Sequence, residues 1–435
     1  MDILNTLPAM IKISGVFILI LAAIRLKISL GNSLLGGSII LGFIFGLNPF
    51  LILKSAFFSL IHPKTLALSC IVMLILVLSH SMEKAGQMAR LLDTFKGLIK
   101  NTGINLVIFP ALIGLLPMPG GAVFSAPMVK NIGESKSLTG AQLSYINYWF
   151  RHVWEYWWPL YPGVLLTTAI ADLNLGVYIL FMIPLTIVAL ISGYWPIGYR
   201  SLNKDTNGLS ENPEHPRFFP FFMELLPILI VVVLGLGIGA VFSMFFKKPD
   251  FPVAKEAGLI IALIISILWV WNQNRFSMSQ RWSILKRRQL FKMFYLVSTI
   301  LIFKGILEDS HAVKAVSQEL IQWSIPLILI AVILPCLVGV IGGITIAFVG
   351  TTFPIIISLI QSYGEAHLML PYMILAMVSG FVGVLISPLH LCMLLSNEYF
   401  KTSFFPVYRH LWLPCTALFS SSCLYFWILK IIMSN

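Results

Sequence analysis

Apolar runs of about 20 residues, each long enough to cross roughly 30 Å of hydrocarbon as a helix, recur from one end of this 435-residue chain to the other. A chain so patterned is expected to be an all-α integral membrane protein with about ten transmembrane helices. No stretch is left over for a soluble domain. Charged residues make up 11% of the chain and hydrophobic ones 58%, where a soluble domain carries about 25% charge. Mean hydropathy is +0.92. The first apolar run opens a long series and lacks a small-residue cleavage pattern, so it reads as a retained span. Cys70, Cys336, Cys392, Cys415 and Cys423 all lie in apolar stretches with no C-x-x-C spacing and read as packing residues, with no metal site and no disulfide expected.

The runs place spans at roughly 8–24, 33–53, 65–82, 143–170, 175–195, 219–245, 256–272, 291–309, 368–395 and 406–430. Two further apolar regions, 104–132 and 325–360, are too interrupted by Gly and Pro to be single straight helices. The two halves are related. Phe109-Pro110-Ala111-Leu112-Ile113-Gly114-Leu115-Leu116 reappears as Leu334-Pro335-Cys336-Leu337-Val338-Gly339-Val340-Ile341, a shift of 335 − 110 = 225. The same shift superposes Glu83 on Glu308, Ala122 on Ala347, the hydrophobic blocks and both broken regions. An internal duplication follows. It divides the chain into a first repeat over 1–195 with hairpin 104–132, a cytoplasmic linker over 196–218, and a second repeat over 219–435 with hairpin 325–360.

If each broken region dips in and returns to its own side, each half has five full spans, and the second half is inverted relative to the first. On that topology 19 Lys and Arg fall on one side and 9 on the other, with Arg151 between them. The positive-inside rule then makes the first side cytoplasmic and puts both termini outside, in a multi-pass protein of the inner (plasma) membrane. The formal net charge of +12 arises from these loops, so nucleic acid is not an expected partner.

Broken backbone at membrane depth survives only when buried in protein or lining a wet cavity, so a matched pair points to a binding site. The first tip is Pro117-Met118-Pro119-Gly120-Gly121, with Ser125 following. The second is Gly342-Gly343-Ile344-Thr345, with Thr351 and Thr352 following. Glycine lets backbone approach a ligand, half-helix N-termini favour an anion, and freed carbonyls can hold Na⁺. Close helix packing at small residues is the competing explanation. In the fourth span Asn147, Arg151 and Glu155 fall at i, i+4 and i+8, with His152 one turn before Glu155. Pro159 and Pro162 should end that helix just beyond. Arg151 and Glu155 could form a structural ion pair, Arg151 could bind substrate, and Glu155 with His152 could carry a proton. An interfacial aromatic belt is the competing explanation for the Trp and Tyr around them. In the matching span Ser387-Pro388 should break the helix, making Ser387 and His390 further candidates.

The Pro-Ala-Leu-x-Gly approach to the tip at 110–127, the run Trp149-Phe150-Arg151-His152-Val153-Trp154-Glu155-Tyr156-Trp157-Trp158-Pro159-Leu160-Tyr161-Pro162-Gly163 and Ile386-Ser387-Pro388-Leu389-His390-Leu391-Cys392 resemble an uncharacterised prokaryotic family of ten-span membrane proteins. That family is grouped with the ion transporter superfamily of gluconate permeases, C4-dicarboxylate and citrate carriers and arsenite exporters. The resemblance implies two re-entrant hairpins and two interrupted helices around a midplane site. The tips depart from the Ser-Asn-Thr of dicarboxylate carriers, with Pro117-Met118-Pro119 and Ile344-Thr345-Ile346 in its place. The expected function is secondary transport of a small, organic-acid-like anion coupled to H⁺ or Na⁺, with no other cofactor. The sequence leaves open an exporter of an oxyanion or lipid-linked intermediate, an intramembrane enzyme, an assembly factor, and a homodimer. An enzyme is not expected, since no H-E-x-x-H or Walker A motif is present and no G-x-S-x-G falls in a suitable context.

Overall fold

The fold follows from where Pro, Gly and capping residues cut the apolar runs. A computed structural model describes residues 7–95, 98–99, 101–118, 121–197, 218–245 and 253–434. The described residues are helical, with no strand. The first half comprises α1 (Ala9–Arg25), α2 (Leu30–Ile44), α3 (Pro49–Ile61), α4 (Pro63–Lys84), α5 (Gln87–Phe95), α6 (Thr102–Gly114), α7 (Ala122–Ser135), α8 (Gly140–His152), α9 (Pro162–Ile170) and α10 (Leu175–Tyr194). The second comprises α11 (Phe218–Phe245), α12 (Ala254–Gln273), α13 (Met278–Leu285), α14 (Arg288–Asp309), α15 (Ala312–Gln322), α16 (Leu327–Gly342), α17 (Thr345–Ser362), α18 (Met369–Leu385), α19 (Leu391–Tyr399) and α20 (Phe404–Ser434). Most of the linker expected at 196–218 lies outside the described residues.

Eight helical stretches among the described residues are long and apolar enough to cross a bilayer, and the protein is an all-α integral membrane protein. Burial sorts these stretches into layers. The stretch ending in α18 is fully buried over its most apolar window and α17 is 83% buried, while α11 and α20 are only 28% buried. The outer helices therefore turn apolar side chains such as Phe222, Val233, Leu424 and Ile431 outward, where lipid is the matching solvent.

Three expected spans are cut, the one at 368–395 at the expected Ser387-Pro388 break between α18 and α19. The run at 33–53 ends at Ile44, because Gly46 takes a positive φ of 86° and Asn48 accepts a hydrogen bond from Leu51 N at 2.8 Å, capping α3 with Pro49 in its first turn. The run at 143–170 is not one helix either. It divides into α8 and α9 around a non-helical stretch at 153–161. The break begins well before Pro159; Pro159 lies inside it, and Pro162 starts α9.

The shift of 225 reaches the helix boundaries. Residues 63–84 of α4 map to 63 + 225 = 288 and 84 + 225 = 309, the bounds of α14. The starts of α5 and α6 map to 87 + 225 = 312 and 102 + 225 = 327, the starts of α15 and α16. Packing is reciprocal as well: α2 lies on α14 and α12 on α4, while α4 and α14 meet each other. At that junction Ser69 Oγ lies 3.3 Å from Ser298 Oγ. The amphipathic helices α5 and α15 each fasten the first helix of the opposite half. Arg90 donates from Nε to Glu224 Oε1 on α11 at 2.7 Å, and Glu319 of α15 accepts from Ala9 N and Met10 N of α1 at 2.6 and 2.8 Å.

Candidate functional site

Four interruptions meet at one point. The first hairpin, α6 and α7, has limbs of 13 and 14 residues, about 20 Å each at 1.5 Å per residue and too short to cross. The second, α16 and α17, has 16 and 18 residues. Between each hairpin and the next span stands a broken helix: α8 and α9 in the first half, α18 and α19 in the second.

Arg151, at the end of α8, reaches the first tip. Its Nη2 donates to Met118 O at 2.7 Å, and its Nη1 donates to Cys392 Sγ of α19 at 3.0 Å. A Cβ on Gly121 would collide with the guanidinium, so glycine here makes room for it. Its Nε is buried with no hydrogen-bond partner. At the second tip Gly343 turns with φ +64°, and a Cβ there would meet His390 N, Leu389 C and Ser387 Oγ, each at 3.1 Å. Thr345 begins α17 and donates through its hydroxyl to Glu155 Oε1 inside the first break. Ser387 Oγ donates to Val340 O of α16 at 2.7 Å. The tips thus grip the breaks: tip one through Arg151, tip two through Glu155 and Ser387.

Two histidines bridge the breaks. His152 Nδ1 lies 2.5 Å from Tyr148 O. A carbonyl can only accept, so Nδ1 carries the proton and Nε2 is a bare acceptor in the neutral ring. His390 Nε2 stands 3.1 Å from it and is the donor of that pair. Glu155 Oε2 lies 3.7 Å from the same His152 nitrogen. Behind them Asn147 Nδ2 donates to Ala122 O at 3.0 Å and Ser396 Oγ at 2.9 Å, Ser125 Oγ donates to Asn147 Oδ1 at 2.6 Å, and Ser144 Oγ donates to Asn397 Oδ1 at 2.6 Å.

The centre is enclosed. Asn147, Ser125 and Ser387 are fully buried, and Arg151, His152, Thr345 and His390 are at most 5% exposed. A cleft of about 470 Å³ between α4, α9, α10, α11 and α12 is lined by none of these side chains.

Several expected arrangements are corrected. Glu155 does not share a helix face with Asn147 and Arg151, because α8 ends at His152. No ion pair joins Arg151 and Glu155; Glu155 turns to Thr345 and His152 instead. The aromatic run is no interfacial belt. Tyr145, Tyr148, Tyr156 and Trp149 are buried, and the polar tips of several aromatics in the run meet carbonyls that helix ends leave open. Tyr148 OH donates to Leu385 O at 3.0 Å, Tyr161 OH to Gly114 O at 2.7 Å and Trp154 Nε1 to Ala111 O at 2.8 Å. Cys392 is more than packing, since it accepts from Arg151.

Of the other candidates, Thr351 and Thr352 hydrogen-bond back to Ala347 O and Phe348 O of their own helix, one to two turns from the tip. Gly342 faces Ala347 and not the centre. Pro119 and Gly120 lie outside the described residues. Met118, part of the expected first tip, contributes a carbonyl that was not expected as a ligand, and Cys392, Ser396 and Asn397 were not expected at the centre. The one available signal for those three was their place directly after the Ser387-Pro388 break.

These features define a multi-pass α-helical membrane protein whose broken helices and hairpin tips close on a buried, charged centre. The chain belongs to the family described as protein of unknown function DUF401, whose profile matches residues 6–429. A search of curated proteins gave no match.

Proposed function

We propose that the protein is a secondary transporter of a small anion, coupled to H⁺ or Na⁺, working by alternating access around this centre. The observation that supports it most is the convergence of both hairpin tips and both helix breaks on Arg151, His152, Glu155 and Thr345. Non-helical backbone is costly in a membrane and collects where a solute must be held. In this reading the hairpins are re-entrant, the repeats are inverted, and the kinship is with the ion transporter superfamily. Arg151 is the anion ligand. It is a fork of five donors, with Nε uncommitted and Nη2 held by a mere carbonyl that a carboxylate can replace.

The enclosed centre is the occluded form. When the first hairpin withdraws, Arg151 loses Met118 O and takes an anion in its place. When the second withdraws, Glu155 loses the Thr345 hydroxyl, and its carboxylate is left to take a proton or to face Na⁺. Each gate thus carries one charge of the site, which links solute occupancy to ion occupancy. The test is thermal stabilisation of the purified protein by a panel of small organic anions, followed by uptake into proteoliposomes with a Na⁺ or a proton gradient. A ligand at 100 times its Kd should stabilise by about 2.7 kcal/mol. Arg151→Met should abolish that stabilisation, and Glu155→Gln should keep it while removing the response to the driving gradient. Stabilisation of Arg151→Met equal to that of the parent protein would overturn the assignment.

A further inference from the structure

The geometry points to a binding site for a soft monovalent metal ion, Cu(I) or Ag(I), formed by His152 Nε2, His390 Nε2 and Cys392 Sγ. One ring nitrogen of each histidine and the Cys392 sulfur lie within 4.8 Å of one another, and all three residues are buried. The two imidazole nitrogens face each other at 3.1 Å. With metal–nitrogen bonds of about 2.0–2.1 Å and metal–sulfur bonds of about 2.3 Å, three ligands spread around one ion lie roughly 3.5–3.8 Å apart. The nitrogens need to open by about 0.5 Å and the thiol to close by about 1 Å.

The surroundings prepare the ligands. His152 donates from Nδ1 to Tyr148 O, the backing that metal-binding histidines ordinarily have, and this aims a bare Nε2 lone pair at the point between the three residues. For His390 to ligate through Nε2, its proton must move to Nδ1, a buried nitrogen that makes no hydrogen bond. Binding forms a metal–sulfur bond, breaks the Cys392 S–H bond and releases one proton.

Charge selects the ion. Arg151 stands 3.0 Å from Cys392 Sγ and 3.5 Å from His152 Nε2, and Glu155 lies 3.7 Å from that same nitrogen. One guanidinium, one carboxylate and one thiolate sum to −1, so a monovalent cation leaves the buried cluster neutral, while a divalent ion leaves it at +1 beside an arginine. Thiolate and imidazole together also suit Cu(I). The inference stands on the ligand geometry and does not depend on the transport reading.

The experiment is anaerobic titration of the full chain in detergent with Cu(I), in competition with a chromogenic Cu(I) chelator, and with Zn(II) in parallel. The expected result is one Cu(I) withdrawn from the chelator per chain, loss of that equivalent in Cys392→Ser and His390→Gln, and its retention in Cys415→Ser. For any variant that fails to fold, the parent protein gives the same answer by another readout: bound Ag(I) should protect Cys392, but not Cys336, from alkylation after rapid denaturation, read by mass spectrometry. No transfer from the chelator, unchanged stoichiometry in a folded Cys392→Ser, Zn(II) bound in preference to Cu(I), or unprotected Cys392 would each overturn the proposal.

Discussion

Gly121 and Gly342 separate a glycine that makes room at the centre from one that only ends a helix. A Cβ at Gly121 falls on the Arg151 guanidinium, whereas one at Gly342 meets only the Ala347 methyl at 3.1 Å. Gly121→Val should therefore cut transport at least about tenfold, because displacing Arg151 breaks a charge-assisted hydrogen bond of about 1.5–3 kcal/mol. Gly342→Ala should leave transport within about twofold, with both variants eluting as folded protein. Equal loss in both would make the glycines a matter of helix packing. At this scale the sequence was legible for side chains that announce themselves. Arg151, His152, Glu155, Ser387 and His390 stand out in apolar surroundings, and the structure brings them together. Met118 and Cys392 did not stand out. One acts through a backbone carbonyl and the other is a small residue in an apolar run, so neither has a compositional signature.

The elements show where helices begin and end by chemistry, and one such end can be tested directly. Glu319 stands in for a capping side chain at α1 by accepting two of its first N–H groups from another helix. Glu319→Ala should lower stability by about 1 kcal/mol, typical of a lost cap, and Glu319→Gln should recover part of it. Thermal unfolding in detergent reads the difference, and an unchanged midpoint for Glu319→Ala would show that α1 needs no such anchor. The long helices were legible, because hydropathy sets them, and clustered Gly and Pro marked the turns that part α6 from α7 and α16 from α17. The short helices α5 and α15 were not, since nine and eleven residues of mixed polarity carry no membrane signal. The break after His152 was misplaced by position alone. Pro159 marks the inside of the break, and its start is set by Arg151 and Glu155 finding partners on other helices.

At the scale of the whole molecule, orientation rests on the charge bias of 19 Lys and Arg against 9. Single cysteines placed in α13 beside Arg281 should be modified only from the cytoplasmic side, and cysteines at residue 7 or 434 only from outside; termini labelled from the cytoplasm would reverse the proposed topology. The reciprocal packing has a further consequence, for biogenesis. α4 is 78% buried over its apolar window, and much of what covers it, α12 and α14, is made about 190 to 225 residues later in the chain. At about 5–20 residues per second the ribosome needs roughly 10–45 s to supply those partners. Through that interval the newly made first half carries Ser69, Ser79, His80 and Ser81, all buried in the finished protein, with no second half to cover them. A nascent chain of this design has to be sheltered by the insertion machinery until its own second half arrives.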